Sequence, residues 1–112
     1  MAITQEASGS QTATIGTEHT LATISTNKTF VAYVDASALV AGEYLELKCK
    51  RNTRTADTTR IIHTRIVSWL EAAVTPIIKM PVDSAGASAY VVTLKQLSGT
   101  GRAFPWAIET PG

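Results

Sequence analysis

The apolar residues of this chain fall in short runs that alternate with polar ones, and a period of two constrains the fold more than any other feature. Tyr44 to Lys50 is the clearest case, with Leu45, Leu47 and Cys49 on one side and Glu46, Lys48 and Lys50 on the other. Side chains of a strand point to opposite faces in turn, so such a run sets one face on a core and the other in water. Gly, Asn, Asp, Ser or Thr separates nearly every run from the next. One small β-domain is the expected result.

Met1 to Ser10 is small, polar and without a sustained period. It predicts a flexible arm over residues 1–10 ahead of a sandwich domain over residues 11–112. Strands are expected over Thr12 to Ile15, His19 to Ser25, Thr29 to Asp35, Glu43 to Arg51, Thr58 to Val67, Ile77 to Val82, Ala89 to Leu97 and Arg102 to Glu109. Thr26 to Lys28 reads as a turn, Asn52 to Asp57 as a polar hairpin loop, and Asp83 to Ser88 as a loop. Ser98 to Gly101 reads as a turn whose two glycines supply positive φ. Asp35 to Gly42 has the spacing of a single helical turn. Ser68 to Val74 has partial helical spacing but runs into Pro76, which predicts a loop or strand extension. Pro76 and Pro81 flank the run Ile77 to Val82 and mark an edge strand, because proline cannot donate to a ladder.

About eight short antiparallel strands with frequent turn signals point to an all-β single sandwich, jelly-roll or Ig-like, with a closed barrel as the alternative. Its expected core is Leu21, Ile24, Phe30, Val34, Leu45, Leu47, Ile61, Ile66, Ile78, Val92, Leu94 and Phe104.

Charge excludes some partners. The 10 basic and 9 acidic residues leave a formal net charge of +1, so no overall field draws the chain to nucleic acid or an anionic membrane. Lys48, Lys50, Arg51, Arg54, Arg60 and Arg65 form a local positive stripe, read either as a solvated strand face balanced by Glu43 and Glu46 or as a contact for phosphate or an acidic partner. A single cysteine, Cys49, excludes an internal disulfide and reads as a small buried hydrophobe. Met1 to Ser10 lacks the features of a secretory signal and no apolar run has the length of a membrane helix, which predicts a soluble protein made in the cytosol.

Chemistry is sparse. His19, His63 and Cys49 lie in separate strands, so no metal site, nucleophile or cofactor is expected. Glu43, Glu46, Asp57, Glu71, Asp83 and Glu109 fall on turns or solvent faces, and nothing isolates one of them in an apolar pocket to serve as a catalytic acid. The SGTG turn lacks the helix and lysine of a phosphate loop. No catalytic residue is assigned, and a structural or binding role is expected rather than an enzyme. Trp69, Trp106 and Tyr44 lie near strand ends, where they either anchor contacts between subunits or plug the sandwich. The segment Arg102 to Trp106 (RAFPW) places a proline inside a strand, which predicts an exposed edge or bulge facing a neighbour. The candidate protein contacts are Ile3 and Gln5 in the arm, Trp69, and Arg102, Pro105 and Trp106 in the last strand.

The stretches EHTLATIS, KTFVAYVDASALVAGEYLELK and VVTLKQLSGTGRAFPWAIET cover most of the chain after residue 17. In them the chain resembles the small β-sandwich virion proteins of tailed bacteriophages, above all capsid decoration (cement) proteins. The resemblance implies a structural virion protein, made in the host cytoplasm, that sits on the outer surface of the capsid and reinforces contacts between major capsid subunits. It implies the major capsid protein as partner, self-association as a trimer, and no active site; no direct contact with nucleic acid or membrane is expected. A tail, neck or fibre-associated virion protein is one alternative. Another is a carbohydrate or host-surface binding module that uses Trp69, Trp106, Tyr33 or Tyr90 as a stacking platform.

Overall fold

The computed structural model describes residues 3–24, 29–51, 60–81, 83–84 and 90–111. The expected turns at 26–28 and 52–57, and residues 85–88 of the expected loop, lie outside the described residues. Strands β1 (Ile3–Thr12), β2 (His19–Ile24), β3 (Thr29–Asp35), β4 (Tyr44–Arg51) and β5 (Arg60–Ser68) lead into helix α1 (Trp69–Val74). Strands β6 (Ile77–Lys79), β7 (Asp83–Ser84), β8 (Tyr90–Gln96) and β9 (Ala103–Pro111) follow. One sheet has the order β1-β9-β3-β6, with β7 also pairing on β3, and the other has the order β2-β8-β4-β5.

All pairings are antiparallel, and the main ones nest: β1 with β9, β2 with β8, β3 with β6 and β4 with β5. A long hairpin whose tip is β4 and β5 has thus rolled over on itself into two stacked sheets, which is the pairing pattern of a jelly roll. The all-β sandwich expected from the alternating runs is what forms.

Alternation explains the core. Leu45, Leu47 and Cys49 of β4 and Phe30, Ala32 and Val34 of β3 are buried at every second position. Tyr90, Val92 and Leu94 of β8 and Phe104 and Ile108 of β9 meet them from the neighbouring strands. The ring of Tyr90 stacks on Phe30 with centroids 6.2 Å apart, so Tyr90 is a core residue and offers no surface for a ligand. Of the expected core, Leu21 is half-buried, and Ile61 and Ile66 are exposed. The reason lies in register: Leu45 pairs with Val67 and Leu47 with Arg65, so Ile66 points out beside Glu46, and the bulge between Cys49 and Lys50 shifts Ile61 to the position opposite the outward Lys50.

Four further expectations change. Residues 3–10 belong to a strand rather than an arm. They lack an apolar stripe, and what holds them is a backbone ladder to β9 that runs from Ile3 opposite Pro111 to Thr12 opposite Ala103. The indole of Trp106 covers Gly9, where an added Cβ would lie 3.3 Å from the ring, and glycine there admits that approach. Strand β9 is interior rather than an edge, flanked by β1 and β3. Proline is tolerated because the β3 ladder ends at Val34 opposite Trp106, so Pro105 lies one residue past it and pairs only with Ser10.

Residues 69–74 form a helix rather than a loop. The Ser68 hydroxyl accepts from the Glu71 N–H at 3.2 Å, Ala72 is buried, and Pro76 follows two residues after the helix ends. Replacing Ser68 with alanine leaves that donor without its cap and is expected to destabilise the fold by about 1 kcal/mol, read as a lower urea midpoint with an unchanged slope. Asp35 to Gly42 forms turns rather than a helix, opened by Asp35 Oδ1 accepting from the Ser37 N–H at 2.9 Å.

Candidate functional site

Two places gather polar or exposed groups, and they do different work. The first closes one end of the sandwich. Glu43 precedes β4 and is only 2% exposed, a burial its place in a polar turn does not foretell. Its carboxylate accepts from Arg102 Nη2 at 3.0 Å, from the Val40 N–H at 2.9 Å and from the Thr100 N–H at 3.0 Å. Hydrogen bonding from Arg102 holds the Glu43 carboxyl at about 2, against the opposing effect of burial and with the two backbone donors adding to it.

Gln96, fully buried, completes the plug. Its Nε2 donates to the Ser98 and Thr100 carbonyls and its Oε1 accepts from the Arg102 N–H. Gly99 supplies the positive φ of this turn, at +89°, whereas Gly101 does not adopt one. Both carboxylate oxygens of Glu43 are engaged within the fold, which gives the residue a structural role.

The second place is an open depression of about 190 Å³ on the β1-β9-β3-β6 sheet. Tyr33 and Asp35 from β3, Ile77 from β6, and Pro105, Trp106 and Ala107 from β9 line it. The register creates it, because Tyr33 pairs with Ala107 and Asp35 with Ile77, and alternate residues of neighbouring strands share a face. The lining is apolar apart from the Asp35 carboxylate and the tyrosine hydroxyl. Its open shape and apolar lining suit it to seat a side chain.

Pro105 and Trp106 of the six candidate contacts meet in this depression. Gln5 is exposed on β1 opposite Glu109, about 13 Å along the sheet from Pro105. Ile3 lies further out opposite Pro111, and its side chain is outside the described residues. Trp69 opens α1, packs half-buried against the core and does not line the depression. Arg102 serves Glu43. Tyr33 lies on the outer face with Ala107, whereas Trp106 pairs with the buried Val34 and turns its indole over Gly9 and against the core, so the two rings do not form a stacking platform; Asp35, Ile77 and Ala107 were not singled out from the sequence. Their signal is positional, since all three are outward residues of their strands, but it becomes readable only once the register is known.

The remaining polar groups are absorbed locally. Lys48 pairs with Glu46 at 3.3 Å and Lys50 with Glu18 at 3.0 Å, so these members of the positive stripe belong to a balanced strand face. The Thr93 hydroxyl donates to Glu18 at 2.6 Å, and that bond, with Lys50, lowers the Glu18 pKa despite its partial burial. Nε2 of His19 accepts from the Thr14 N–H at 3.0 Å. His63 sits opposite the buried Cys49, and among the described residues no three His, Cys, Asp or Glu side chains converge on a point that could hold a metal. No helix among the described residues is long and apolar enough to cross a membrane. Comparison with protein-family models, with curated proteins and with solved structures finds no match to this chain.

Proposed function

We propose that this chain is a structural virion protein that binds the outer surface of a phage capsid and reinforces contacts between major capsid subunits. The observation that carries the reading is the shallow apolar depression lined by Tyr33, Ile77, Pro105 and Trp106. An open, mostly apolar concavity on a rigid sheet suits a side chain protruding from a protein surface, with the Asp35 carboxylate at hand for a lysine or arginine on that side chain. Jelly rolls recur in viral capsid proteins, a likeness of fold that supports the virion setting by analogy. The sequence resemblance supplies the phage and the capsid. Binding in many copies on a shell would compensate for a weak single contact.

The alternative reading is a carbohydrate-binding module, with Tyr33 as the ring turned towards the depression. Cryo-electron microscopy of purified capsids mixed with the protein separates the two. Protrusions on the outer shell are expected, with the β9 and β3 face towards the capsid. Density at the tail or none at all would overturn the capsid assignment. Ile77→Glu sets a second carboxylate beside Asp35 on an exposed position and is expected to lower capsid occupancy about tenfold, a loss typical of a contact residue. Its folding stability is expected to stay within about 0.5 kcal/mol of the parent, as for other surface changes.

A further inference from the structure

Strand β5 is the outer edge of the β2-β8-β4-β5 sheet, nine residues long, and among the described residues no strand pairs with its free side. It exposes Ile61 at 51%, Ile62 at 46% and Ile66 at 55%, and Leu70 of the following helix is also exposed. The other edges differ. β6 has three residues, and β1 presents Ser8, Gly9 and Ser10 along its middle. A long edge that is also apolar is a template for another strand.

The sequence of β5 indicates which strand. Read outward from Thr64, Ile62 mirrors Ile66, and both are exposed. A twofold interface needs a patch that complements itself, and an antiparallel copy centred on Thr64 meets that need by setting Ile62 against Ile66 twice. Arg60 falls opposite Ser68 of the second copy, which leaves polar residues at the ends of the paired stretch. His63 falls opposite Arg65, whose guanidinium is already engaged by Glu71 of its own chain. The bulge between Cys49 and Lys50 leaves Ile62 without a partner on β4, but the ladder from His63 to Ser68 is regular.

We propose that β5 pairs with β5 of a second copy of this chain, antiparallel and twofold about Thr64, so that two sheets join into one continuous sheet. The surface is on the opposite sheet from the Tyr33 and Trp106 depression, so either proposal can fail without the other. The twofold contact is also distinct from the threefold grouping that the decoration-protein resemblance implies.

Sedimentation equilibrium of the full chain tests it. A mass twice the 11.9 kDa of one chain is expected. Ile62→Lys and Ile66→Glu, both at exposed positions, should each raise the dissociation constant on the order of tenfold, because each acts twice across the axis. Combined in one chain they should restore association, since lysine then faces glutamate on both sides of the axis. Thr64→Cys should give a disulfide-linked pair under mild oxidation, because the two introduced thiols meet at the axis. A mass of one chain or of three overturns the proposal. So does a two-chain mass that the single substitutions leave unchanged, a double variant that fails to re-associate, or Thr64→Cys that does not cross-link.

Discussion

Replacing Glu43 with alanine is expected to destabilise the fold by about 3 kcal/mol at neutral pH, the scale of removing one partner from a mostly buried charge pair. The change leaves the Val40 and Thr100 N–H groups without an acceptor and the Arg102 guanidinium without its counter-charge. Equilibrium urea unfolding measures the loss. Acid supplies a second readout. The folded Glu43 carboxyl titrates near 2 against an ordinary 4.5, so the unfolded chain takes up the proton first as pH falls. Its contribution is therefore complete above about pH 4.5 and fades as pH drops towards 2. Glu18, also lowered, adds to the same trend. Glu43→Gln keeps the shape but cannot titrate, and its stability should fall less steeply over that window. An acid profile for Glu43→Gln that runs parallel to the parent would refute the structural role assigned to this carboxylate.

Gly99→Ala is expected to cost a similar amount, about 3 kcal/mol, from two sources. The backbone there has φ of +89°, where an L side chain is strained, and an added Cβ would overlap the Glu43 carboxylate and its Cγ. Because Glu43 is pinned by three donor residues it cannot swing aside without losing bonds. The two substitutions should therefore couple. In a Glu43→Ala background the overlap disappears and only the φ penalty remains, so Gly99→Ala should cost markedly less there than in the parent. Strict additivity in a double-mutant cycle by urea unfolding would show that the turn does not rest on Glu43.

What the sequence makes legible follows from where information is local. β4 reads correctly because its two faces differ in charge: Leu45, Leu47 and Cys49 have only one place to go. β5 does not, because alternation alone leaves open which face turns inward and does not show the bulge that turns Ile61 out as well as Ile66. Val67 opposite Leu45 settles the face, and the pairing lies outside either strand taken alone. β1 has no apolar stripe to betray it, since its ladder to β9 is made by backbone groups that every residue carries. The helix at 69–74 hid behind Pro76, although Ser68 with a first-turn Glu71 is a capping signal that can be read directly. Of the candidate contacts, Pro105 and Trp106 line the depression. The bond from Arg102 to Glu43 was not legible, because the two lie 59 residues apart in the chain. The depression was half legible, with its aromatic members visible in the sequence and its walls set by register.

The interior position of β9 bears on how the protein is made. Synthesis runs from β1 towards β9, and the strand that lies between β1 and β3 is the last of the nine described strands to leave the ribosome. Until residues 103–111 emerge, β1 has no ladder to join and β3 holds only the short β6 and β7 beside it. Half the sandwich is thus assembled after translation has passed its final strand, through contacts between the two ends of the domain, a topology that makes folding slow. A nascent chain arrested before residue 103 should bind chaperones, and release of the last strand should be the step that frees it.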